Sequence, residues 1–240
     1  MIETINLSKS YAQFVATKNV SFKFDTGDVV GLLGPNGAGK TTTIRMLTTF
    51  IPPTSGTAKV AGFDIVKESQ LVRKNIGYLP ETPPLYPEMK VKEYLEFVAK
   101  IKGVERKLIG SYVDEAIQSC FISNVANKVC SALSKGYRQR VGLAQALVHK
   151  PKVIILDEPT SGLDPAQIIE IRQLIARLKG QHTVILSTHI LPEVTETCNK
   201  VVIIANGSVV AQGELGELTK EMSLEQRFMA AISNDEFVQQ

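Results

Sequence analysis

The sequence predicts an α/β fold with a mainly parallel central sheet flanked by helices, and three observations carry this reading. Strand-length apolar runs recur at 29–33, 153–156, 183–186 and 201–205. They lack the in–out alternation of a half-exposed strand, as strands covered on both faces do. Stretches with helical spacing lie between them, such as the stripe Ile168, Ile171, Leu174, Ile175 and Leu178. A glycine-rich loop joins the first apolar run to a helical stretch, the strand–loop–helix order of α/β proteins.

Composition agrees with this class. The 240 residues are 44% hydrophobic and 21% charged, which suits one large domain or a domain with an inserted subdomain. Lys and Arg number 27 against 24 Asp and Glu, a net charge of +3. So weak a balance gives no basic field for nucleic acid. Cys120, Cys130 and Cys198 show no Cys-x-x-Cys spacing and read as reduced, buried small residues of a cytosolic protein. The N-terminus has no apolar signal core, and no run reaches the about 20 apolar residues of a membrane-spanning helix.

Taken in order, residues 1–30 are short strands separated by polar turns. Residues 17–24 alternate, with Val20, Phe22 and Phe24 on one face, and Asp25-Thr26-Gly27-Asp28 is a turn. After the 29–33 strand and its loop, a helix runs through Ile44, Met46 and Leu47. Pro52-Pro53-Thr54-Ser55-Gly56 ends it, and 57–60 resumes as strand. From about residue 89 the spacing turns helical, beginning at Val91 and lasting to about Lys150, where Pro151 closes it. Within it a helix is expected over 138–148. His149 and His182 read as solvent-facing. The expected organisation is a single domain over 1–240. Its core is 1–88 and 151–213, its helical subdomain 89–150, and its helical tail 214–240.

Gly34-Pro35-Asn36-Gly37-Ala38-Gly39-Lys40-Thr41 fits G-x-x-x-x-G-K-[ST], which makes this a P-loop NTPase fold. The glycines let backbone N–H groups converge on phosphate oxygens, and the helix beginning there adds free N–H groups and partial positive charge. Lys40 reaches β- and γ-phosphates, and the Thr41 hydroxyl is placed for Mg²⁺. The strand at 153–156 ends in Asp157-Glu158. Successive side chains on a strand point oppositely, so Asp157 can face Mg²⁺ while Glu158 faces a water beside the γ-phosphate.

With these residues the chain resembles the ATP-binding cassette (ABC) ATPase family over essentially its whole length. Leu133-Ser134-Lys135-Gly136-Tyr137-Arg138-Gln139-Arg140 looks like the family signature, whose usual core is Leu-Ser-Gly-Gly-Gln. Ser161-Gly162-Leu163-Asp164 looks like the D-loop, Ser187-Thr188-His189 like the switch histidine, and Ile76-Gly77-Tyr78-Leu79-Pro80-Glu81 like the Q-loop, with glutamate for the usual glutamine. Tyr11 lies where the family places an aromatic ring that stacks on adenine. The resemblance implies an N-terminal antiparallel β subdomain and an inserted α-helical subdomain. It implies ATP held by Tyr11, Gly34 to Thr42, Ser134, Gly136 and Asp164. Mg²⁺ is then held by Thr41, Glu81 and Asp157, and hydrolysis is carried by Glu158, His189 and Lys40. Ser134 and Gly136 serve the ATP of a second copy of the chain.

Glu81 keeps acceptor and metal-ligand capacity but loses the amide donor of glutamine. Lys135 and Tyr137 replace glycine and glutamine. These variants and the tail Leu224-Glu225-Gln226-Arg227-Phe228 resemble ABC-2-type exporter cassettes, including gliding-motility-like ones. The implied function is an ATPase subunit peripheral on the inner face of the cell membrane. It powers a separate permease received by the proline-interrupted segment from Pro80 to about Gly110. A soluble ABC ATPase acting on DNA or ribosomes is the alternative. Against it, no long heptad run lies between Lys40 and Asp157, and the chain has one glycine loop. A GTP switch lacks its Asn-Lys-x-Asp guanine reader: Asn127-Lys128-Val129-Cys130 and Asn199-Lys200-Val201-Val202 both fail at the last position.

Overall fold

Alternation at the start of the chain produces a hairpin of β1 (Ile2–Tyr11) and β2 (Phe14–Phe24) in the computed structural model, which describes residues 1–236. The last four residues assigned to the tail, 237–240, lie outside the described residues. β3 (Val29–Leu33) follows, then α1 (Lys40–Leu47), β4 (Ser55–Val60), β5 (Phe63–Asp64), α2 (Ser69–Asn75) and β6 (Ile76–Leu79). The helical stretch comprises α3 (Val91–Ile101), α4 (Ile109–Ser119) and α5 (Lys135–Leu147). The chain then returns through β7 (Val153–Asp157), α6 (Pro165–Arg177), β8 (Thr183–Thr188), α7 (Leu191–Thr197), β9 (Lys200–Ala205) and β10 (Ser208–Glu214). It ends in α8 (Leu215–Leu218) and α9 (Leu224–Glu236).

Two sheets result. One is antiparallel, in the order β2-β1-β4-β5; the other runs β10-β9-β3-β8-β7-β6, parallel except for the β10 edge. The apolar runs are uninterrupted because their two faces serve two cores. Val29, Leu33, Ile154, Leu156, Val184, Leu186, Val201 and Ile203 pack with α3 to α7 on one side. Val30, Leu32, Val153, Ile155, Ile185, Val202 and Ile204 pack on the other. There α1, through Ile44, Met46 and Leu47, fills the space against Ile2, Leu7, Val20 and Phe22 of the antiparallel sheet. The three cysteines are free and buried.

Local differences from the sequence reading have simple causes. α5 begins at Lys135 rather than Arg138, because the Ser134 hydroxyl accepts the Tyr137 N–H at 3.4 Å and caps the helix there. Gly136 therefore sits inside the first turn. His149 and His182 are not solvent-facing. Each is partly buried, with His149 Nε2 2.9 Å from the Ile76 carbonyl and His182 Nδ1 2.7 Å from the Pro151 carbonyl. Burial, with Lys102 nearby, pushes the His149 imidazole down to about 4. Both lie where a helix or turn closes onto a strand start, a contact that spacing alone does not reveal.

Candidate nucleotide site

Three adjacent parallel strands end together. In register, Leu33 of β3 pairs with Thr188 of β8, and Asp157 of β7 with Ser187 of β8. The turns leaving these strands therefore emerge side by side at their carboxyl ends, where open α/β sheets bind ligands. They deliver the glycine loop, the Asp157–Glu158 pair and the His189 turn to one cleft of about 460 Å³.

The glycine loop takes its shape from backbone geometry. Gly39 has φ +103°, and a Cβ there would lie 2.6 Å from the Ala16 carbonyl, so only glycine fits this entry to α1. α1 has no side-chain cap and no acidic residue in its first turn, which leaves its N–H groups and positive end directed at the loop. Lys40 is 5% exposed and folds over the loop. Its ammonium donates to the carbonyls of Gly34 at 2.8 Å and Pro35 at 3.1 Å, and lies 3.4 Å from the Glu158 carboxylate.

Asp157 is buried, and one of its oxygens accepts from Ser187 at 2.6 Å and from Thr41 at 3.4 Å. Burial, with the charges of Glu158 and Glu81, raises its carboxyl above the usual range despite those two hydroxyls. Such a group calls for positive charge. Glu158 sits at φ +49°, and its other oxygen lies 2.8 Å from His189 Nδ1. Glu81 accepts the Ser161 hydroxyl at 3.1 Å, and its backbone carbonyl accepts the amide of Gln139 at 3.3 Å.

The predicted residues thus divide. Asn36, Gly37, Ala38, Gly39, Lys40, Thr41, Thr42, Glu81, Glu158 and His189 line the cleft, and Gly34, Pro35 and Asp157 support it from behind. Ser134, Gly136 and Asp164 lie outside its lining: the first two open α5, and Asp164 caps α6 by accepting the Gln167 N–H at 2.9 Å. Tyr11 is also outside the lining, with the Lys9 ammonium 5.4 Å from its ring centroid. Its direct cross-strand partner, Phe14, is 64% exposed and does line the cleft. Phe14 is not among the residues expected from the sequence, although a second aromatic three residues beyond Tyr11 across a two-residue turn is its signal. Neither is Gln139, a glutamine 1% exposed inside the signature helix, whose burial no local pattern announces.

A loop of this form at a helix start, beside a buried aspartate and a half-buried glutamate at the end of a parallel strand, defines a P-loop nucleotide-hydrolysing site. The family model described as "ABC transporter" matches residues 17–161. A second model, described as "AAA domain, putative AbiEii toxin, Type IV TA system", matches residues 130–196. The chain belongs to the ABC transporter family and is an ATP-binding, ATP-hydrolysing cassette. It is 42% identical to the "Uncharacterized ABC transporter ATP-binding protein YxlF" of Bacillus subtilis (strain 168), over 92% of this chain and 73% of that one. It is 37% identical to the "Bacitracin transport ATP-binding protein BcrA" of Bacillus licheniformis, over 92% and 72%. Among solved structures, "Structure of ATP binding subunit of ABC transporter" superposes with TM-score 0.87 at 29% identity, covering 96% of this chain and 99% of that one. "Dimeric structure of a post-hydrolysis state of the ATP-binding cassette MJ0796 bound to ADP and Pi" gives 0.81 at 25% identity, over 90% and 99%.

Proposed function

We propose that the chain is the nucleotide-binding subunit of an ABC-2-type exporter, working as a pair of copies docked on a separate membrane permease. One observation carries the pairing: Lys40, Thr41, Asp157, Glu158 and His189 converge on one cleft, whereas Ser134 and Gly136 lie outside it. In the pair, each copy presents Ser134 and Gly136 to the γ-phosphate held by the other, with Asp164 beside the same face. Two ATP molecules are then buried across a two-fold axis. The dimeric state of the solved cassette bound to ADP and Pi supports this arrangement.

Within one cleft, Lys40 and the loop N–H groups hold the phosphates, and Tyr11, with Phe14 beside it, takes the adenine. Glu158 accepts a proton from the attacking water, and His189 hydrogen-bonds the γ-phosphate. The oxygen donors present fit magnesium, because a buried carboxylate already gathers two hydroxyls and a second carboxylate, Glu81, lines the same cleft. Asp157, Thr41 and Glu81 would hold the ion. When bound, it offsets charge building on the phosphate oxygens.

The segment from Pro80 to about Gly110 receives the permease's cytoplasmic helix, and the chain sits peripherally on the inner face of the cell membrane. A cleft of about 450 Å³ supports this, lined by Phe50, Tyr78, Pro80, Pro84, Lys102 and His149. Phe50 in it is 74% exposed, an apolar surface that a partner would cover. Among the described residues no helix is long and apolar enough to cross a membrane. The variants at Glu81, Lys135 and Tyr137 support the exporter subgroup, and the relative named for bacitracin transport supports a transport role.

Light scattering tests the pairing. Glu158→Gln should form dimers in Mg-ATP and far fewer in ADP, and adding Ser134→Arg should return it to monomer. Monomers throughout in saturating Mg-ATP, with the permease's cytoplasmic segments present, would overturn the proposal.

A further inference from the structure

The loop after β7 and the segment that leads into and opens α7 meet twice. Facing the cleft, His189 Nδ1 lies 2.8 Å from Glu158. Beneath that contact, the Thr160 hydroxyl donates to Oε1 of Glu193. Thr160 is 3% exposed and Glu193 1% exposed, and Glu193 Oε2 has no hydrogen-bond partner.

A carboxylate taken so far from water costs more than one hydroxyl bond returns. An apolar side chain of similar size would fill the space at lower cost, so packing does not account for Glu193. Its position does. It lies in the first turn of α7, four residues after His189. Its N–H bonds the Ile190 carbonyl at 3.1 Å, and its carbonyl accepts the Thr197 hydroxyl at 2.5 Å. Thr160 lies two residues after Glu158 and four before Asp164, the cap of α6. The outer contact uses groups that water and the γ-phosphate claim once ATP is bound. The inner one uses neither.

We infer that Glu193 is a positioning residue: through Thr160 it locks the His189 turn and the 158–164 loop into one unit. Occupancy of the γ-phosphate at His189 is thereby coupled to Asp164 throughout the nucleotide cycle. The inference rests on the roles proposed above for His189 and Glu158.

The test compares Thr160→Val, Thr160→Ser, Glu193→Leu and the Thr160→Val/Glu193→Leu pair in the full chain. Thr160→Val should lower kcat about tenfold, with KM and ATP affinity within about twofold of the parent, because it strands a buried carboxylate. Thr160→Ser, which keeps the hydroxyl, should retain most of the rate. The pair should be no slower than its slower single variant, since it removes both partners. Hydrogen exchange supplies a second measure that needs no turnover: Thr160→Val should speed exchange in 159–164 and 188–193 together, and Thr160→Ser in neither. The inference fails if Thr160→Val turns over normally, or if serine rescues no better than valine. It also fails if rate and affinity fall together with the melting temperature, or if only one segment loosens. Glu158→Gln separates the two levels. Normal turnover in that variant overturns the general-base role, whereas an inactive Glu158→Gln beside a normal Thr160→Val overturns this inference alone.

Discussion

The starts of α1 and α5 are both helix N-termini lacking acidic residues in the first turn, yet the chain finishes one and leaves the other open. At α1, Lys40 is buried, its ammonium is held by two loop carbonyls, and Glu158 after β7 and the His189 turn close around it. At α5, Ser134 and Lys135 are exposed, and the Ser134 hydroxyl makes only a long cap bond, to the Tyr137 N–H at 3.4 Å. A helix end is an anion site only to the degree that the surroundings complete it. Adjacent strand ends complete the first within one chain; in the pairing proposed above, the second is completed by a nucleotide on the other copy.

The largest effect expected from this contrast is on turnover. Glu158→Gln at the α1 site should cut ATP hydrolysis by about 10²–10⁴-fold, the usual contribution of a general base, while still binding Mg-ATP in calorimetry. Near-parental steady-state hydrolysis would break the assignment. Next, Lys40→Ala should weaken ATP binding to the monomer by about 1.5–3 kcal/mol, the scale of a charged hydrogen bond. Ser134→Arg should leave that monomer affinity unchanged. If the two variants lose affinity equally, the two helix starts are not different in kind.

Smaller effects separate the individual rings and caps. Tyr11→Ala and Phe14→Ala each remove one ring from the same face of the hairpin, and base stacking is worth about 1–3 kcal/mol. Whichever variant loses ATP affinity, and loses preference among bases, carries the stack; unchanged calorimetry in both would return the rings to a structural role. The smallest effect concerns capping alone. Asp164→Ala should destabilise the fold by about 1 kcal/mol through loss of the 2.9 Å cap. Ser134→Ala, with its longer 3.4 Å contact, should cost less than that in urea titrations while still weakening the ATP-dependent dimer. A larger cost at Ser134 would mean that its hydroxyl works mainly for its own helix.

Whatever is local in chain or period is legible in the order of amino acids alone. The two-faced apolar runs require a sheet buried on both sides, the glycine loop requires a phosphate cradle between strand and helix, and the order of motifs defines the family. Tertiary packing settles what depends on which strands end together and which surfaces close on each other. It set β8 between β3 and β7, so that Ser187 and Thr41 share one oxygen of Asp157. It brought Phe14 rather than Tyr11 to the cleft wall, and it packed Gln139, His149 and Glu193 against segments 58, 73 and 33 residues away in the chain. A polar side chain carries no mark of burial in its own neighbourhood, because its partner arrives only when distant strands and helices pack.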